Sequence, residues 1–116
     1  MAQPIVHWEM AVGDAKKLQS FYAEMFDWTV DANNPMEYGM VNTGGNGSVD
    51  GGIFPAGDHP KRVTLYVAVP DLQAALDKAE RLGGKTLMPP TEIPEGNVTL
   101  ALFADPEGTV FGLIKG

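Results

Sequence analysis

The sequence carries the same pattern twice. Displaced by 57 residues, "VHWEMAVGD" (6–14) falls on "VTLYVAVPD" (63–71), so Val6, Ala11, Val12 and Asp14 meet Val63, Ala68, Val69 and Asp71. A chain of 116 residues holding one pattern twice has room for two small units of one kind and little else. Each copy opens as a strand. Val63, Leu65, Val67 and Val69 alternate with Thr64, Tyr66 and Ala68, while Val6, Trp8, Met10 and Val12 alternate with Ile5, His7, Glu9 and Ala11. A period of two sends alternate side chains to opposite faces of a sheet.

Each strand then gives way to a helix. Asp14 and Asp71 stand where a carboxylate can accept the free amide protons of a first helical turn. Ala15, Leu18, Tyr22, Met25 and Phe26 follow the first at helical spacing, and Leu72, Ala75, Leu76 and Ala79 follow the second. Gly83-Gly84 supply a stop for the second helix. Short strand patterns come next, near 28–30, 38–42 and 48–54, and again near 85–88, 98–104 and 110–114. The expected fold class is α+β. A single domain, 1–116, holds two βαβββ modules, about 1–57 and 58–116, forming an open, eight-stranded barrel-like cleft.

One helix covers one face of a four-stranded sheet. The Val6/Trp8/Met10/Val12 and Val63/Leu65/Val67/Val69 sets are expected beneath the helices. The opposite faces then carry His7, Glu9, Thr64 and Tyr66, and a cleft with such mixed walls suits a small molecule.

Composition narrows the function. Cysteine is absent, which removes disulfides, thiolate nucleophiles and cysteine-based metal sites. The formal charge of −7, with its few lysines and arginines scattered, argues against nucleic acid and anionic membranes and favours a neutral or cationic small molecule. No window approaches the roughly 18 apolar residues of a membrane span. "MAQPIVHWE" does not read as a signal peptide, so the expected location is cytoplasmic.

"VHWEMAVGDAKKLQSFYAEMFDW" (6–28), its "FYxxxFxW" element, and "ADPEGTVFGLI" (104–114) resemble the vicinal oxygen chelate superfamily. This group includes glyoxalase I, extradiol dioxygenases and bleomycin-resistance proteins, and the resemblance covers nearly the whole chain. It implies paired modules, a homodimer, and metal ligands on the first and last strand of each module. Tested one by one, only His7 matches. Thr64 stands at the second first-strand position, Gly112 at the second last-strand position, and Gly51 or Gly52 at the first. One imidazole and a hydroxyl hold a divalent ion poorly, so no cofactor is expected and a metal is disfavoured. His7 and Glu9 as a pair, completed by Glu92, Asp50 or His59, are the alternative ligand set. The glycines themselves either empty space for a bulkier ligand or a close backbone approach, or else meet a β-bulge or a packing need.

Glu9 is the first candidate, as base or as anchor for a cationic or hydroxylated ligand, or else as a solvated strand carboxylate. His7 can shuttle protons or bond a ligand oxygen, and Tyr66 can donate to a ligand carbonyl beside Thr64. Tyr38 and Met40, with Phe103 or Leu102 and with Trp28, could form an apolar ligand wall, although such stripes are more often core. The proline-rich "LMPPTEIPEGN" (87–97), around Glu92, breaks regular strand pairing. In the resemblance it corresponds to a rim or lid.

Three functions follow. The first is a metal-independent glyoxalase-related protein, a lyase, isomerase or binder, centred on Glu9 and His7 with Tyr66. The second is a non-catalytic binder of the antibiotic-sequestering type. The third is a metal-dependent lyase or dioxygenase with an atypical ligand set.

Overall fold

The computed structural model describes residues 2–35, 37–93 and 98–116. The element order is β1 (Ile5–Val12), α1 (Ala15–Phe26), β2 (Thr29–Asp31), β3 (Gly39–Asn42) and β4 (Gly51–Pro55). It continues with β5 (Arg62–Val69), α2 (Leu72–Arg81), β6 (Lys85–Ile93), β7 (Val98–Ala104) and β8 (Val110–Lys115). This is the βαβββ order twice, in an α+β chain. The chain divides into two compact units, His7–Thr64, and Leu65–Gly116 together with the N-terminal residues up to Val6.

In the first unit the strands lie in the order β2-β3-β4-β1. β1 runs parallel to β4, and the other neighbours are antiparallel. The Asp14 carboxylate accepts from Lys17 N at 3.1 Å and starts α1, as its position in the repeat required. Val12, Ala15, Val41 and Ile53 form the core under the helix, with Trp8, Met10, Leu18, Tyr22, Trp28 and Val30 packed on it. The apolar set of β1 therefore faces α1 as its alternation predicted. Val6, at the strand's outer end, is 42% exposed.

In the second unit the order is β6-β7-β8-β5, with β5 parallel to β8. Asp71 caps α2 by accepting from Ala74 N at 3.0 Å. At the other end Gly83, at φ 100, lets the chain turn back so that Gly84 N donates to Ala79 O at 2.8 Å. Val69, Leu72, Leu76, Ala101 and Leu113 form the core, joined by Val67, Ala75 and Phe103.

Two boundaries depart from the sequence reading. β4 begins at Gly51 rather than Ser48, because Asp50 is turned to accept from Thr43 N at 2.9 Å. β6 runs through Met88-Pro89-Pro90 to Ile93, and its pairing with β7 shifts register between Thr86 and Met88 and again between Met88 and Thr91. The prolines thus bend a strand at the sheet's edge instead of ending it. The rim reading of 94–97 lies outside the described residues. No described helix is long and apolar enough to cross a membrane.

Candidate functional site

In the first unit three polar side chains meet on one face of the sheet. His7 and Glu9 are two residues apart on β1, so both leave the sheet on the face away from α1. Between them stands the phenol of Tyr38, immediately before β3. Its hydroxyl donates to Glu9 Oε2 at 3.1 Å and lies 3.2 Å from His7 Nε2. With the proton on Nε2, His7 donates to the phenol oxygen, and the three groups form a chain from imidazole to carboxylate. All three are half-buried.

Gly52 makes this possible. In the ladder Glu9 pairs with Gly52, and Gly52 with Met40. The Tyr38 ring lies directly over Gly52, where a Cβ would overlap both ring and hydroxyl. The ring also stacks on Phe54, with centroids 5.5 Å apart and planes at 18°. The neighbouring Gly51 points the other way, and there a Cβ would overlap the Trp8 ring. The register therefore identifies Gly52, not Gly51, as the glycine on the face of Glu9.

The second unit repeats the device with one residue fewer. Tyr66 pairs with Gly112 and lays its own ring over it, again so closely that a Cβ would overlap it. Tyr66 is 3% exposed; Thr64, the last residue of the first unit, is 2% exposed and accepts from Arg62 Nε at 3.0 Å. Leu102 pairs with Gly112 on the same face as Tyr66. Of the two expectations for these glycines, close packing describes them and emptied space for a ligand does not. At both Gly52 and Gly112 the space is filled by a phenol ring of the chain itself.

The other candidates separate. Met40, 62% exposed, shares the face of Tyr38 and Glu9. Trp28 does not: it packs on the α1 side, 5.5 Å from Trp8 and 4.9 Å from Phe26. It cannot form one wall with Tyr38. Phe103 likewise belongs to the α2 core, because it is odd in register with Leu102 and so faces the helix. Glu92 is exposed on β6, paired with Thr99. Beside α2, a cavity of about 520 Å³ is lined by Val67, Ala75, Ala79, Leu82, Phe103 and Leu113, among others.

Of the four positions where the resemblance implies metal ligands, His7 alone carries an imidazole or a carboxylate. His7 supplies one nitrogen, Thr64 a buried hydroxyl already bonded to Arg62, and Gly52 and Gly112 supply no side chain under their covering rings. Among the described residues, no three His, Asp or Glu side chains come together as an ion would need. Asp50 serves the turn to Thr43, and His59 is exposed.

Sequence reasoning passed over three residues that build this site. Phe54 was legible as the partner two residues beyond Gly52 on one strand face. Gln19 was legible as a polar residue in the buried stripe of α1, where it is 7% exposed. Asn34, in "ANNP", looks like any turn residue and gave no signal.

The family model of the glyoxalase-like domain matches residues 7–114. CFP32 of Mycobacterium bovis and Mycobacterium tuberculosis, named as a glyoxylase, is 27% identical over 113 residues. That match takes in 90% of this chain but only 42% of CFP32, so the chain spans less than half the length of the curated relatives it matches. Among solved structures, methylmalonyl-CoA epimerase from Mycobacterium tuberculosis superposes with a TM-score of 0.68 at 14% identity, covering 96% of this chain and 86% of the epimerase. A glyoxalase/bleomycin resistance protein/dioxygenase superfamily member from Vibrio splendidus 12B01 gives 0.67 at 17% identity, covering 99% and 100%. The chain belongs to the glyoxalase-like domain family, and it shares its fold with a member of the glyoxalase/bleomycin resistance protein/dioxygenase superfamily.

Proposed function

We propose that the chain binds a small neutral or cationic organic molecule on the His7–Glu9–Tyr38 face, without a divalent metal, and can move a proton on it. The observation that carries this is the Tyr38 hydroxyl held at 3.1 Å from Glu9 Oε2 and within 3.2 Å of His7 Nε2. A phenol so placed is a polarised donor and acceptor, flanked by one group that can give a proton and one that can take it. Glu9 is the base or anchor, His7 the proton partner, and Tyr38 the link that a ligand hydroxyl or amine would contact or displace. Phe54 and Met40 give the same face an apolar surround. The net charge of −7 supports a ligand that is not an anion. In the relatives, the names glyoxylase and epimerase belong to small-molecule chemistry on this fold, and fold alone does not choose between chemistry and binding.

The test is a small-molecule thermal-shift and NMR screen of the metal-analysed protein, run with and without chelator. The expected result is a ligand whose affinity survives chelator and falls about tenfold or more in Glu9→Gln, the scale of a lost charged hydrogen bond. If that ligand is turned over, the rate falls in Glu9→Gln as well, because an amide keeps the shape but takes no proton. One divalent ion retained per chain, or a Glu9→Gln protein indistinguishable from wild type, overturns the reading.

A further inference from the structure

Two side chains outside the bridge hold the segment that delivers Tyr38. Gln19 lies on α1, on the opposite face of the sheet from His7 and Glu9. Its Nε2 donates to Ile53 O at 2.9 Å and to Glu37 O at 3.2 Å. Both amide protons are spent on tying β4 to the residue before Tyr38. Gly39 lets the contact form: a Cβ there would sit 2.6 Å from the Gln19 amide nitrogen.

Asn34 grips Tyr38 itself. Its Oδ1 accepts from Tyr38 N at 3.0 Å, and its Nδ2 donates to Tyr38 O at 2.7 Å. One side chain thus satisfies both backbone polar groups of the tyrosine. Glu37, just before Tyr38, adopts φ 55, a left-handed conformation that non-glycine residues disfavour. A conformation of this kind persists where neighbouring contacts hold it, and Gln19 bonds the Glu37 carbonyl itself.

We propose that Gln19 and Asn34 are positioning residues for the polar centre, setting the Tyr38 hydroxyl where it reaches His7 and Glu9 together. This rests on the bridge being the functional centre proposed above. Contacts of 3.1 and 3.2 Å leave little slack, because a displacement of half an ångström takes either beyond a working hydrogen bond. The helix under the sheet and the polar groups above it are coupled through one loop.

The experiment uses the full chain labelled with ¹⁵N-histidine, reading the ring nitrogens of His7 and identifying His59 by its substitution. Wild type, Tyr38→Phe, Asn34→Ala, Asn34→Asp and Gln19→Leu are compared, each with a thermal melt. Wild-type His7 is expected in one hydrogen-bonded tautomeric state, which Tyr38→Phe abolishes. Asn34→Ala, still melting cooperatively, moves the His7 signals most of the way to those of Tyr38→Phe. Asn34→Asp keeps the acceptor for Tyr38 N and returns them at least halfway. Gln19→Leu shifts them in the same direction where it folds, and Asn34→Ala decides the matter where it does not. A lowered melting temperature with wild-type His7 signals in Asn34→Ala overturns the proposal. No bound molecule is needed, so an empty ligand screen would sink the proposed function and leave this coupling standing, and unchanged His7 signals would do the reverse.

Discussion

The ring of Tyr38 rests on the α-carbon of Gly52, with no room between them for even a methyl group. Gly52→Ala should therefore displace the phenol and break its contacts with His7 and Glu9. Overpacking of this kind costs about 1–3 kcal/mol. Removing the ring should remove the penalty, so Gly52→Ala is expected to be nearly neutral in a Tyr38→Ala background. Urea denaturation of the four proteins of that cycle measures the coupling, and strictly additive effects would show that ring and glycine do not oppose each other.

The same relationship between Tyr66 and Gly112 should be less forgiving. Tyr66 is 3% exposed, whereas Tyr38 is half-buried and has somewhere to go. Gly112→Ala is predicted to destabilise more than Gly52→Ala, since close-packed interiors resist displacement. Thermal melts of the two single variants settle the order, and equal or reversed losses refute it.

Much of this architecture could be read from the amino acids. The alternation of Trp8, Met10 and Val12 with His7 and Glu9 sorted β1 onto two faces, and the structure keeps that sorting. Asp14 and Asp71 were legible because a carboxylate before an apolar helical stripe has few other roles. What escaped was contact across distant segments. Tyr38 looked like one wall residue among several, because nothing local says that its ring crosses to Gly52, 14 positions on. Trp28 and Phe103 were grouped with it by chemistry alone; packing on Trp8 and Phe26 places Trp28, and the pleat places Phe103, on the helix side. Gln19 could have been found by asking why an amide interrupts the buried row of α1. The glycines were noticed, but the sequence does not say which side chain uses the space that a glycine leaves.

The two caps offer a direct check on the repeat. Asp14 and Asp71 each accept one amide proton of the first helical turn, at 3.1 and 3.0 Å. Asp14→Ala and Asp71→Ala should each cost about 1 kcal/mol. Asn at either position should recover most of it, since an amide oxygen caps as well as a carboxylate. Chemical denaturation of the four variants tests this, and an Ala variant as stable as wild type would show that the cap contributes nothing there.

The repeat also explains the cavity beside α2. Shifted by 57 residues, Leu18, Tyr22 and Phe26 of α1 fall on Ala75, Ala79 and Gly83. In the first unit Tyr22 and Trp28 pack on the core and stack at 6.2 Å, and Phe26, half exposed, adjoins both. In the second, two methyl groups and a glycine stand at those positions, and about 520 Å³ is left beside α2. Gly83 cannot be enlarged without strain, because its φ is 100. Ala79 can, since it is helical and its side chain borders the cavity. Ala79→Leu should therefore raise stability by about 0.5–2 kcal/mol through cavity filling. The mirror change, Tyr22→Ala, empties the first unit and should cost about 3–5 kcal/mol, reduced to the extent that Tyr22 is only half-buried. Guanidinium denaturation of both variants measures the pair. A destabilised Ala79→Leu protein would mean that the space beside α2 is too shallow or too polar at its mouth to hold a side chain.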